Sequence, residues 1–229
     1  MTIKRDRFQD LRQRFSDPAL TALTILLAFL MFVIGPLQAA GILGAHHFAI
    51  VMALVTVAGI FIVSGSAVAV GALLVAIALV VVATVMRLRQ PSSVDLFLDA
   101  AAWAIAGLTL SFVVARAVFA PGRITLHRIV GAVLLYLVIG FTFTALFCFV
   151  ALLEPNAFAG LRPLEDNLAV ASNFGYFSFV TLTSVGYGDI VPVHPYARGL
   201  ANVEAIIGQL YPATLLARLV TLEIAGQQR

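Results

Sequence analysis

Charged residues are scarce in this chain: they make up 11% of its 229 residues, whereas hydrophobic residues make up 62% and the mean hydropathy is +1.05. A soluble domain carries roughly 25% charged and about 45–50% apolar residues. So few charges cannot cover a soluble globule with polar surface, and the lipid bilayer is therefore the expected solvent. The same composition excludes a disordered chain and a collagen.

Cysteine is nearly absent, since Cys148 stands alone in an apolar run. A single cysteine excludes an intrachain disulfide framework. The net charge is only +3, and it does not indicate a nucleic-acid partner. The sequence also lacks a nucleophile–base pair, a metal-ligating cluster and a phosphate-binding loop, so it predicts neither an enzyme nor a bound cofactor.

Long apolar runs predict an all-α transmembrane fold with six membrane helices. About 20 apolar residues cross ~30 Å of hydrocarbon. The run from Phe48 to Met86 has no charge and would be ~58 Å long as one helix, so it must turn back near Ser64–Ser66. The predicted spans are Ala19–Gln38, His47–Val63, Ala67–Met86, Leu96–Phe119, Ile129–Leu152 and Leu200–Ile224.

Lysine and arginine placement predicts the orientation. With the N-terminus in the cytoplasm, ten of the 14 basic residues fall inside and four outside, so both termini are expected to be cytoplasmic. Spans rich in alanine and valine, joined by short loops, favour a bacterial inner membrane. A signal peptide ending near Gln38–Ala40 is the rival interpretation of the first span, and its removal would leave the other five in the same orientation.

A different kind of segment lies between the fifth and sixth spans. Glu154 to Asn167 is polar and interrupted by proline and glycine, which predicts an extracellular loop. A helix over Leu168–Leu182 would be ~22 Å long, too short to cross the membrane. Glycine-rich backbone follows it, and the pair predicts a re-entrant loop buried in protein or beside water.

The seven residues after this short helix, Thr183-Ser184-Val185-Gly186-Tyr187-Gly188-Asp189, resemble the selectivity filter of the tetrameric potassium channels. The family pattern has threonine where this chain has Ser184, which keeps the hydroxyl. The resemblance covers about Ile129 to Ile224. It implies a homotetramer that conducts K⁺ passively through a filter lined by backbone carbonyls. Ions would bind at Ser184, Val185, Gly186 and Tyr187, and Thr183 and Gly188 would complete the filter.

The physical need for these residue types can be stated independently. A K⁺ ion that sheds its water needs replacement oxygens, which backbone carbonyls supply if all of them point to one side. Successive carbonyls of an ordinary strand alternate, and Gly186 and Gly188 permit the positive φ that brings them to the same side. One chain supplies one wall, so a closed ring requires four copies.

Residues around the filter have predicted supporting roles. By the resemblance, Tyr176 and Phe177 occupy the paired aromatic positions that fix the filter's diameter. We expect the Tyr176 hydroxyl to donate to Asp189 behind the filter, while simple core packing of the aromatic residues is the alternative. Thr181 and Thr183 are expected to form hydrogen bonds near the end of the short helix.

The sixth span holds three candidate gate or cavity residues. Gly208 lies where many inner helices of the family have a hinge, although it could equally permit close helix packing. Pro212 removes one backbone hydrogen bond and predicts a kink. Glu204 is an acid inside a membrane helix, and it either faces the cavity or hydrogen-bonds to the back of the short helix.

The first four spans lack the features of a voltage sensor. Moving one charge through 100 mV contributes only ~2.3 kcal/mol, so a sensor needs several arginines in one helix. The fourth span has Asp95 and Asp99 at its outer end and only Arg116 near its inner end. Weak or no intrinsic voltage dependence is expected, and these spans serve either as a collar for the tetramer or as a lipid-facing regulator.

The predicted organisation has five parts: a cytoplasmic segment 1–18, a four-helix membrane domain 19–120, a cytoplasmic linker 121–128, a pore domain 129–224 and a cytoplasmic tail 225–229. A less selective cation channel and a non-conducting sensor or scaffold are the alternative functions. A transporter of the pore-loop type is disfavoured because such chains carry four unequal pore loops and this one has a single loop.

Overall fold

The computed structural model describes residues 20–40, 42, 59, 66–89, 92–119, 126–161 and 167–227. Most of these residues are helical; the exceptions are one pair of two-residue strands, β1 (Phe158–Ala159) and β2 (Val191–Pro192), and short connecting segments that include residues 183–190. The helices in chain order are α1 (Leu20–Leu37), α2 (Ala67–Arg89), α3 (Ser93–Val118), α4 (Leu126–Leu153), α5 (Asn167–Leu182) and α6 (Pro195–Gln227).

Four of the described helices, α1 to α4, are long and apolar enough to cross a membrane, so the protein is a multi-pass membrane protein. Helix α5 has 16 residues and is too short to cross. Helix α6 has 33 residues, but polar residues along it make it less apolar than those four. The predicted span His47–Val63 lies outside the described residues, except Gly59, so the count of six spans stays a prediction.

Helix boundaries differ from the predicted ones by a few residues. Helix α3 begins at Ser93, three residues before the predicted fourth span. Helix α5 begins at Asn167, one residue before the predicted start, and ends at Leu182 as predicted. Helix α4 begins at Leu126, so the last three residues of the predicted linker 121–128 are helical. The predicted segment 1–18 lies outside the described residues.

Helices α2 and α3 form a hairpin that charged side chains hold together. Arg87 Nε donates to Asp95 Oδ2 at 2.9 Å, and its Nη2 donates to Asp99. Asp95 Oδ1 also accepts from the backbone N–H of Ser92 at 2.8 Å, at the start of α3. Asp95 is only 3% exposed, and these bonds satisfy a carboxylate that would otherwise be costly to bury.

Helices α1 to α4 share one apolar core. Helix α1 contributes leucines and an isoleucine at three- and four-residue spacing, which places them on one face. Helices α3 and α4 approach closely at Gly107, where a Cβ would lie 3.1 Å from the Thr142 Cα. The core is formed by Leu23, Leu27, Leu30, Leu73, Ala106, Leu110, Val114, Leu134 and Val138, among others.

A second core is aromatic and lies between α4, β1 and α5. The Phe147 and Phe177 ring centroids are 4.8 Å apart, and those of Phe158 and Phe174 are 4.9 Å apart, both edge to face. Such pairs contribute about 0.5–1.5 kcal/mol beyond their buried area. This cluster seats α5 against α4 and thereby positions the residues that follow α5.

The short sheet ties the loop before α5 to the chain after the filter motif. Strands β1 and β2 are antiparallel, with Phe158 opposite Pro192 and Ala159 opposite Val191. Gly160 has φ +84°, and a Cβ there would overlap the carbonyl oxygen of Asp189. The loop before α5 therefore packs its backbone directly on the end of the filter motif.

Candidate ion-conduction site

The backbone of the filter motif alternates in handedness. Positive φ occurs at Ser184 (58°), Gly186 (60°) and Gly188 (81°), which are every second residue. An ordinary strand turns successive carbonyls to opposite sides, whereas this alternation brings them to the same side. The two glycines adopt positive φ at little conformational cost. At Ser184 the same conformation is strained because the Cβ crowds the backbone.

The C-terminal end of α5 holds the start of the motif. The Ser184 N–H donates to the Thr181 carbonyl at 2.9 Å, and the Val185 N–H donates to the Val180 carbonyl at 2.9 Å. The Thr183 hydroxyl donates to the Phe179 carbonyl at 2.6 Å. The last carbonyls of a helix have no intrahelical donor, so the motif itself caps α5 and is fixed to it.

Tyr176 supports the outer end of the motif. Its hydroxyl donates to Asp189 Oδ1 at 3.0 Å, so the hydrogen bond expected between these two residues is present. Its ring lies parallel to that of Tyr187, with centroids 6.3 Å apart and 3° between the planes. Tyr176 thus contacts both the fifth and the seventh residue of the motif.

Phe177 is part of the aromatic core. It is buried, and its ring packs edge to face against Phe147 and Phe158. The two adjacent aromatic residues of α5 therefore differ in role within this chain: Tyr176 contacts the motif, and Phe177 anchors α5 to the aromatic core.

Gly208 brings α6 against the end of α5. A Cβ at this position would overlap the carbonyl oxygen of Leu182, the last residue of α5. The Tyr136 hydroxyl of α4 donates to the same carbonyl at 3.2 Å. This geometry favours the close-packing interpretation of Gly208.

Glu204 lies behind α5. Its exposed fraction is 0%, and its Oε1 is 2.5 Å from the Ser178 hydroxyl oxygen. The same hydroxyl oxygen is 2.7 Å from the carbonyl oxygen of Gly140 on α4. Of the two alternatives for Glu204, the structure places it at the back of the short helix.

The sequence interpretation missed Gln209. Its Nε2 donates to the Ser184 hydroxyl oxygen at 2.8 Å, at the inner end of the motif. Gly208 makes this contact possible because it lets α6 approach the end of α5. A glutamine in a membrane helix, one residue after a candidate hinge glycine, was the signal available in the sequence.

Beyond Gly208, helix α6 continues through Pro212 to Gln227. Pro212 has no N–H to donate to the Gly208 carbonyl. Near the far end, Arg218 Nη2 donates to the Phe119 carbonyl at 2.9 Å, and its guanidinium lies 5.2 Å from the Phe119 ring centroid. Helix α6 is thereby attached to the C-terminal end of α3.

Comparison with known proteins identifies this part of the chain. Residues 132–224, which are 93 of the 229, match the family model described as ion channel. This segment is therefore similar to an ion-channel pore domain. The match is to a family of channels, so the prediction that the protein is not an enzyme is confirmed.

Two bacterial relatives share part of this chain's sequence. Protein LctB of Geobacillus stearothermophilus is 42% identical over 69 residues, which cover 29% of this chain and 46% of that protein. Protein LctB of Bacillus caldotenax is 39% identical over 56 residues, which cover 24% of this chain and 41% of that protein. The matched segments span less than half the length of these relatives. No solved structure matches this chain.

Proposed function

We propose that this protein is an ion channel that is selective for K⁺ and conducts it passively through a filter formed by Thr183–Gly188 of four identical subunits. The observation that carries the proposal is the alternation of positive φ at Ser184, Gly186 and Gly188. That alternation turns the carbonyls of the motif toward one side, where they can replace the water of a dehydrated ion. Asp189, Tyr176, Phe177 and Thr181 support the filter from behind.

The surface of a single chain supports the assembly of four copies. Val185 and Tyr187 are 52% and 72% exposed in one chain, although carbonyls that point toward the ions leave these side chains to point outward into the surrounding protein. Val203, Ile206 and Leu210 form an exposed apolar stripe on α6. Neighbouring subunits related by a fourfold axis would cover both surfaces and close the ring of carbonyls.

We place the channel in a cell membrane, with six spans and both ends in the cytoplasm. Helix α6 is the last of the six, and its polar side chains Glu204, Gln209 and Arg218 have partners within the protein. The pore domain 129–224 then follows a four-helix domain that attaches to α6 through Arg218. Helix α3 carries Arg116 as its single basic residue, so steeply voltage-dependent opening of the purified protein would contradict the proposal.

The contact between Gln209 and Ser184 favours a second candidate, a monovalent cation channel of lower selectivity. The hydroxyl of Ser184 is the innermost side-chain ligand expected of the filter, and an amide donor occupies part of its oxygen. Reversal potentials in mixed Na⁺ and K⁺ separate the two candidates.

Potassium flux from liposomes that contain the purified protein tests the proposal. The wild type should release K⁺, and Ba²⁺ should block the release. Gly186→Ala should abolish selective flux. A Cβ at this position would meet no neighbouring atom, but φ is +60°, a backbone conformation that alanine adopts only with strain. Gly71→Ala is the matched control, since a Cβ there also meets open space on a helix outside the filter. Equal flux from both variants would refute the role of the alternating backbone.

A further inference from the structure

Three polar groups from three helices meet behind the filter. They are the carboxyl group of Glu204 on α6, the hydroxyl group of Ser178 on α5 and the backbone carbonyl of Gly140 on α4. The Ser178 oxygen is 2.5 Å from one neighbour and 2.7 Å from the other. Both separations are those of true hydrogen bonds between oxygen atoms.

Counting protons decides the state of the carboxyl group. A serine hydroxyl has one proton, and a backbone carbonyl has none. Two short oxygen–oxygen contacts need two protons, so one of them must come from Glu204. The consistent arrangement is Glu204 O–H donating to the Ser178 oxygen, with the Ser178 O–H donating to the Gly140 carbonyl. An ionised Glu204 would leave one of the two contacts as a repulsion between lone pairs.

Burial leads to the same conclusion independently. Glu204 is fully buried within a single chain, and its Oε2 has no hydrogen-bond partner. An ionised carboxylate in such a place is costly, and a buried acid without a cation takes up a proton instead. Ser178 is the one hydrogen-bonding partner of Glu204 among the described residues, and none of them forms an ion pair with it.

Titratable groups on the packed helices have other partners. The hydroxyl of Tyr136 on α4 donates to Leu182, and that of Tyr176 on α5 donates to Asp189. On α6 itself, Tyr211 donates to the Ala132 carbonyl, Arg198 to the Pro192 carbonyl and Arg218 to carbonyls at the end of α3. Cys148 of α4 lies in the aromatic core. None of these described groups would therefore compensate a negative charge on Glu204.

We propose that Glu204 is an uncharged carboxylic acid that acts as a positioning residue, holding α5 between α4 and α6 through a two-bond chain over Ser178. The chain fixes the helix whose C-terminal end carries the filter motif. Glu204 therefore shapes the conduction path without attracting ions to it. The flux test of this proposal rests on the proposed K⁺ conduction, whereas the infrared test of the protonation of Glu204 does not.

Infrared spectroscopy of the purified protein at neutral pH tests the protonation directly. The wild type should show the carbonyl stretch of a protonated carboxylic acid that Glu204→Gln removes. Glu154→Gln, which changes an exposed acid in the outer loop, is the matched control and should leave that band in place. Ser178→Ala should keep the band but shift it, because the acid loses its acceptor. A wild-type spectrum that Glu204→Gln leaves unchanged would overturn the proposal.

Flux separates the positioning role from an electrostatic one. Glu204→Gln keeps a donor toward Ser178 and should conduct within about twofold of the wild type, whereas Glu204→Leu loses the donor and should conduct several-fold less. A negative charge that attracts ions predicts equal losses in both variants at low K⁺ concentration, and that result would refute the proposal. If the band behaves as expected but no variant conducts, the proposed function fails while the protonated acid stands.

Discussion

Gln209 and Ser184 are 25 residues apart in sequence, yet the side-chain amide of the first donates to the hydroxyl oxygen of the second at 2.8 Å. The contact links the inner helix to the residue at which this filter motif departs from the family pattern. It also accompanies a positive φ at Ser184, which a non-glycine residue rarely adopts. The start of the filter motif is therefore the place where this chain departs most from the family pattern.

Removing the amide should strengthen the binding of cations at the inner end of the filter. In Gln209→Leu the positive end of the amide dipole is gone, and a lone pair of the Ser184 oxygen becomes available to an ion. Loss of one hydrogen bond is worth about 1 kcal/mol, so Ba²⁺ should block K⁺ flux at several-fold lower concentration. Asn202→Leu, an exposed change on the same helix, should leave block unchanged. Weaker block in Gln209→Leu would contradict this account of the contact.

Loss of the Tyr176 hydroxyl should loosen the outer end of the filter. Tyr176→Phe keeps the ring that stacks on Tyr187 but removes the donor to Asp189. The expected result is a several-fold change in the rate of slow inactivation, corresponding to about 1 kcal/mol for one hydrogen bond. Tyr196→Phe, at an exposed tyrosine on α6, serves as the control for the chemical change. Identical inactivation in both variants would show that the bond does not matter for the conducting filter.

A methyl group at position 208 should separate α6 from α5. In Gly208→Ala the new Cβ overlaps the Leu182 carbonyl, which is backbone and cannot move aside without shifting the end of α5. Overpacking of this kind costs about 1–3 kcal/mol, so thermal unfolding should occur at a lower temperature and flux should fall. Gly199→Ala on the same helix meets open space and should do neither. If Gly208→Ala had normal stability and normal flux, the interpretation that Gly208 permits close packing of α6 on α5 would be wrong.

The α2–α3 hairpin should contribute to stability and not to selectivity. Arg87→Gln breaks the contacts with Asp95 and Asp99 and leaves a buried carboxylate without its cation. Because Arg87 is itself partly exposed, we expect a loss of about 2 kcal/mol in unfolding free energy rather than the larger cost of a fully buried pair. Thermal melts in detergent would measure it, with Arg89→Gln as the exposed control. A matching loss of stability in both variants would show that the hairpin contacts contribute nothing specific.

Local sequence features were sufficient for much of the fold. Apolar runs predicted helices α1 to α4, and the polar break followed by a short run predicted α5 to within one residue. The glycines of the motif predicted the positive φ at Gly186 and Gly188, because only their lack of a Cβ makes that conformation inexpensive.

Contacts between separate helices could not be predicted in this way. For Glu204 the sequence left two alternatives open, and neither its partner Ser178 nor the contact of Gln209 with Ser184 could be chosen, because both depend on the rotation and spacing of helices distant in sequence. The positive φ of Ser184 likewise follows from its bond to the end of α5 and not from its side chain. The two-residue strands β1 and β2 are too short to leave a periodic pattern.

The reversal potential of single channels in planar bilayers, with K⁺ on one side and Na⁺ on the other, tests the central claim most directly. A filter of backbone carbonyls from four chains should give a reversal potential that follows the K⁺ gradient and barely responds to Na⁺. A reversal potential near zero with equal concentrations of the two ions would contradict the account, because such a pore would not distinguish the ions by replacing their water.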